Sequence, residues 1–138
     1  MLRAFVLASM IAAPTLAMAG DPDRDAIVTE YAVQTRATDP GFTAFSAKRG
    51  EQLFRTVWAG GDPRTPSCTA CHTGNPRNPG RNAKTGRPID PVAVSVNPSR
   101  FTNAADVEKQ FTRDCKSVLG RLCTPLEKGD YITFMTGQ

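Results

Sequence analysis

Two cysteines and a histidine in the stretch Pro66-Ser67-Cys68-Thr69-Ala70-Cys71-His72 have the spacing for one particular chemistry. In Cys-x-x-Cys-His the two thiols can add across the two vinyl groups of a single haem, and the next residue offers an imidazole to the iron. The stretch reads as a c-type haem attachment site, with haem c held through thioethers at Cys68 and Cys71 and His72 as the proximal iron ligand. The same pair could be half of a zinc site or a redox disulfide, and both rivals lack support. Zinc would want a second ligand pair at similar spacing, whereas Cys115 and Cys123 stand further apart and His72 is the only histidine. A thioredoxin-like motif needs a strand before it and a helix after it. Here Gly60-Gly61-Asp62-Pro63 leads in and Thr73-Gly74-Asn75-Pro76 follows.

The compartment that such a site requires is also written in the chain. Residues 1 to 19 read as a secretory signal: Arg3 is the lone charge, Ala4 to Ala13 is apolar apart from Ser9, and Ala17-Met18-Ala19 precedes Gly20 as a small-x-small cleavage pattern. The run is too short to span a bilayer, although an uncleaved anchor is the alternative. Cleavage would leave residues 20–138 as one periplasmic monohaem domain with no membrane insertion. The full chain has a formal net charge of +4, and loss of Arg3 brings it to about +3, too mild for a nucleic-acid partner. Covalent haem and stable disulfides both belong outside the cytoplasm, so Cys115 and Cys123 are best read as a bridge closing the loop Lys116 to Leu122. Two buried free thiols are the alternative.

The elements that must position the haem motif are mainly helical. Asp21 and Pro22 fit an N-cap and first helical position, and Ala26, Ile27, Val28, Tyr31 and Val33 carry helical spacing to about Arg36. Asp39-Pro40-Gly41 breaks the chain before a second helix, roughly Ser46 to Val57, in which Gly50 and Phe54 share a face and invite another helix close. A third begins near Thr102 or Asn103, buries Val107, Phe111 and Cys115, and leads into the disulfide loop. Thr124-Pro125-Leu126-Glu127 is a capping box that opens a C-terminal helix, whose apolar stripe outweighs the helical cost of Gly129. Between Thr73 and Arg100 five prolines break regular structure, so irregular chain should wrap one haem edge. Arg77, Arg81, Lys84 and Arg87 there form either an ordinary solvated loop or a clamp for haem carboxylates or an acidic partner.

Ala47-Lys48-Arg49-Gly50-Glu51-Gln52-Leu53-Phe54, the haem motif and the capped last helix together resemble the class I cytochrome c plan. More specifically, Arg100-Phe101-Thr102 and Arg113-Asp114-Cys115-Lys116-Ser117-Val118-Leu119-Gly120-Arg121-Leu122-Cys123 resemble the sphaeroides haem protein family of monohaem cytochromes. The resemblance implies a class I cytochrome c fold with several helices around one covalently attached haem, and long irregular loops. Members carry an Asn before the first of the two downstream cysteines, as weak sixth ligand of the oxidised iron, and related proteins carry His. This chain has Asp114 there, which the resemblance would put on the distal side, held by the turn that the Cys115–Cys123 bridge constrains.

Subtraction narrows the sixth ligand further. A single histidine forbids bis-histidine ligation, and Met1, Met10 and Met18 fall in the signal, which leaves Met135 inside the last helix as a core side chain. Asp114, Lys116, Asn97, Asn103 or water remain. The resemblance implies a labile distal site that takes oxygen, nitric oxide or another diatomic on the ferrous haem. It further implies a dihaem cytochrome c as electron donor, with a membrane cytochrome b upstream. Oxidase- or reductase-like activity on a small molecule stays open, while the lack of a distal His–Arg pair to assist O–O cleavage argues against a peroxidase. The rivals are a plain electron-transfer cytochrome with a closed distal site, and a sensor or scavenger of nitric oxide or oxygen.

Overall fold

Asp21 opens the first helix as expected: its carboxylate accepts the backbone N–H groups of Asp23 and Arg24, and α1 spans Pro22–Thr38. The computed structural model describes residues 20–138; the expected signal, residues 1–19, lies outside the described residues. Ser46 caps α2 (Ala47–Arg55), which stops short of Val57 because Thr56 turns to extended backbone and its hydroxyl donates to the Gln52 carbonyl. One turn, α3 (Thr69–His72), carries the haem motif. The long helices α4 (Ala104–Leu119, capped by Asn103) and α5 (Pro125–Thr136) complete a mainly helical fold.

Helix α5 is the axis of the packing. Thr124 and Glu127 form the expected capping box, and Phe54, Ile132 and Met135 are fully buried between α2 and α5. Gly50 makes the close approach possible: a Cβ there would stand 2.0 Å from the Asp130 carbonyl oxygen. Beside it the buried Asp130 carboxylate accepts the Ser46 N–H at 2.6 Å and two Arg49 guanidinium N–H groups, so a charge inside the fold is fully partnered. Gly129, a helical liability in isolation, leaves room for Phe45, whose ring would lie 2.2 Å from any added Cβ. Glu108 of α4 ties three helices together, accepting from Lys128 of α5 at 2.8 Å and from the Tyr31 hydroxyl of α1.

Two expectations need correction. The stretch from Thr73 to Arg100 is not wholly irregular, because β1 (Gly80–Arg81) and β2 (Pro88–Ile89) pair as a short antiparallel ribbon with Gly80 opposite Ile89. Prolines are tolerated there since a two-strand ribbon is all edge. Cys115 and Cys123 are bridged, with Cα atoms 5.6 Å apart. The segment between them is half helical, however: α4 runs on to Leu119 and is stopped by Gly120 at φ 74°. Asp114 therefore stands on a helix and not in a turn.

Candidate functional site

The haem motif is folded by local hydrogen bonds. The His72 and Thr73 N–H groups donate to the carbonyls of Cys68 and Thr69, both at 3.0 Å, which closes the α3 turn. Thr73 then leaves at φ 63°, a backbone state that side chains other than glycine seldom adopt. Two longer-range contacts fix where this turn sits. Gly80 of the ribbon lies against the Cys71 carbonyl, which a Cβ would approach to 2.1 Å. The Ala83 N–H points to Cys71 Sγ at 3.4 Å.

Cys68, Cys71 and His72 line one cavity of about 790 Å³. Its walls are apolar where α2, α4 and α5 contribute Leu53, Val107, Phe111, Val118, Leu119 and Tyr131, and where Ile89, Val92 and Phe101 come from the intervening chain. Tyr131 is the hub, in contact with the rings of Phe54, Phe101 and Phe111 at 6.3, 6.1 and 5.6 Å. Charged groups gather where the cavity meets solvent: Asp62, Lys84, Arg87, Arg100, Arg113, Asp114 and Lys116. An apolar slot with a charged rim suits a large planar ring that bears carboxylates at one edge.

The electrostatics of the motif suit the same group. Burial pushes the Cys68 thiol up to about 12, and the Asp114 charge adds to the shift. Burial lowers His72 below its ordinary value, with Arg100 acting in the same direction and Asp114 against it. The imidazole is thus held neutral, the form that ligates a metal. Cys68 and Cys71 are not bridged to each other, which leaves both thiols for thioether formation. Among the described residues no three His, Cys, Asp or Glu side chains converge as a bare metal site would require. The residues present fit a covalently attached haem.

The structure sorts the distal candidates. Asp114 and Lys116 line the cavity; Met135 does not and is fully buried in the core. Asn103 is occupied as the α4 cap, accepting the Asp106 N–H at 3.0 Å. The Asn97 amide donates to the Pro91 carbonyl at 3.2 Å. Asp114 is half exposed, and both its oxygens accept from Arg113, at 2.7 and 3.1 Å. Of the basic loop residues, Lys84 and Arg87 reach the cavity, whereas Arg77 and Arg81 do not line it. Arg81 donates instead to the Gly86 carbonyl within the ribbon. Sequence reasoning missed Arg100, Phe101, Arg113 and Tyr131 as cavity residues, since only the arrangement of three separate segments brings them together.

Known proteins are similar to this chain in sequence and fold. Residues 40–135 match a family described as a domain of unknown function, DUF1924. The cytochrome c-type protein SHP of Cereibacter sphaeroides is 40% identical over 138 residues, the full length of both chains. Cytochrome c'' of Methylophilus methylotrophus is 34% identical over 119 residues, 86% of this chain and 83% of that protein. The structure of oxidized SHP, described as an oxygen-binding cytochrome c, matches with a TM-score of 0.75 at 40% identity, covering 86% of this chain and 100% of that one. Oxidized cytochrome c'' matches with a TM-score of 0.71 at 32% identity, covering 84% and 94% of the two chains.

Proposed function

The chain belongs to the DUF1924 family and is a relative of the cytochrome SHP, with a cytochrome c fold and a single covalent haem c, and on that premise we propose that it is a periplasmic electron-accepting cytochrome with a labile distal site for diatomic ligands. One observation carries this reading. The cavity that holds Cys68, Cys71 and His72 also receives Asp114 from α4, whereas Met135 lies outside it. A permanent, strong sixth ligand from His or Met is thereby disfavoured.

In this reading Cys68 and Cys71 would carry the thioether links and His72 would be the proximal ligand. When bound, the haem would supply a redox-active iron able to take a small ligand. Asp114 would be the weak oxygen donor on the distal side. Arg113, which lines the same cavity, holds both of its oxygens in a paired geometry and would position the carboxylate there. Because Asp114 is half exposed, its charge is solvated and would make it a weakly held donor. The oxygen binding ascribed to SHP supports oxygen or nitric oxide as ligand, and a dihaem cytochrome c is the electron donor that best suits the resemblance.

Absorption spectra of the ferric and ferrous protein, with and without carbon monoxide, test the proposal. A ferrous form that takes up carbon monoxide readily is expected. A low-spin ferrous spectrum unchanged by carbon monoxide would instead make the protein a closed electron shuttle.

A further inference from the structure

The haem cavity has a neighbour. A smaller space of about 300 Å³ lies between the start of α4 and the chain that precedes it, and the two share four wall residues: Arg100, Phe101, Val107 and Gln110. Apart from these, the smaller space is lined by polar side chains, among them Asp90, Ser99, Asn103 and Asp106, all exposed to solvent. It is a polar vestibule that shares part of its wall with the apolar cavity.

Those four residues differ in freedom. Val107 is buried within α4. The Arg100 guanidinium is fastened to the carbonyls of Pro91 and Asp90, at 3.2 and 3.0 Å. The backbone around it is fastened too, because buried Arg24 of α1 donates to the carbonyls of Arg100, at 3.0 Å, and Pro98. Gln110 is exposed and lies at the edge. Phe101 remains. It is only partly buried, meets Tyr131 edge-on, and sits on backbone at φ 62°, a state that a bulky side chain rarely adopts. With the chain clamped on its N-terminal side and α4 starting just beyond, the side chain is the part left to move.

We propose that Phe101 is the gate of a second access route, by which water and small uncharged ligands pass from the polar vestibule into the haem cavity. This rests on the ligand-binding reading above. The gate controls how fast a ligand arrives and leaves, not how the iron is held.

Flash photolysis of carbon monoxide from the ferrous holoprotein tests it. Phe101→Ala should raise the bimolecular rebinding rate by about tenfold, and Phe101→Trp should lower it to a similar degree. Association and dissociation rates should change by the same factor, as a gate requires; a faster association with an unchanged dissociation rate would mean that the binding site itself had been altered, and would count against a gate. Should Phe101→Ala fail to fold, Phe101→Leu, which keeps an apolar contact with Tyr131, and Phe101→Trp decide by the same comparison. Variants that all bind carbon monoxide at the unmodified rate overturn the gate and leave the ligand-binding reading standing. An unmodified protein that takes no carbon monoxide at saturation overturns both.

Discussion

The backbone N–H of Asp62 donates to the carbonyl oxygen of Ser117 at 2.7 Å. The connection leading to the haem motif is thereby pinned to the last turn of α4, the helix on which Asp114 stands. Thr65 repeats the attachment, its hydroxyl meeting the Ser117 carbonyl and hydroxyl at 3.1 and 2.8 Å. The two sides of the cavity are thus held at one spacing by a few hydrogen bonds to Ser117.

Gly61 is what lets that connection approach. A Cβ at this position would come within 2.2 Å of the Ser117 carbonyl oxygen, against backbone that cannot step aside. Gly61→Ala should cost about 2 kcal/mol of stability and also shift the ferric spectrum, because the Cys68 side and the Asp114 side move apart. Denaturant unfolding together with the absorption spectrum checks both.

Removal of the Asp114 carboxylate should act on the iron site and hardly on the fold, since the side chain is half exposed and its partner Arg113 more so. Asp114→Ala is expected to change the ferric spectrum and to raise the affinity of the ferrous form for carbon monoxide severalfold. A ferric spectrum identical to that of the unmodified protein at every pH would exclude Asp114 as a ligand.

Glu108 predicts how the fold responds to acid. Burial alone would raise its pKa, but the Lys128 ammonium and the Tyr31 hydroxyl pull it below its ordinary 4.5. A folded-state value below the unfolded one means that the group stabilises the fold above about pH 4.5 and loses that contribution as pH falls through the folded value. Thermal unfolding followed from neutral pH downward should show this loss. In Glu108→Gln the melting temperature should be lower at neutral pH and should fall less steeply on acidification.

The contact between α2 and α5 should be the most sensitive to added volume. Gly50→Ala places a methyl group 2.0 Å from the Asp130 carbonyl oxygen and 2.8 Å from Phe134 Cβ. It should destabilise the protein by about 3 kcal/mol, whereas Gly74→Ala, with nothing within 4 Å of the added carbon, should be nearly neutral. Melting temperatures of the two variants make the comparison.

Much of this protein is legible from short-range spacing. Cys-x-x-Cys-His names a chemistry because its residues must lie within one turn, and Asp21, Ser46 and the Thr124/Glu127 box cap their helices through groups two or three residues away. Gly50 was readable as a contact point because helical periodicity puts it on the face of Phe54. The cavity wall was not readable in this way. Phe101 meets Tyr131, Arg24 holds the carbonyls of Pro98 and Arg100, and Gly129 makes room for Phe45 across separations that no local pattern encodes. Asp114 belongs to both categories: its place before Cys115 marked it as a candidate, but its seat on a helix, paired with Arg113 and facing the cavity of His72, follows from α4 running on to Gly120. Sequence by itself determined which chemistry is available, because thiols, imidazole and caps act over one turn. Tertiary structure decided which side chains share the cavity, because that depends on how separate helices pack.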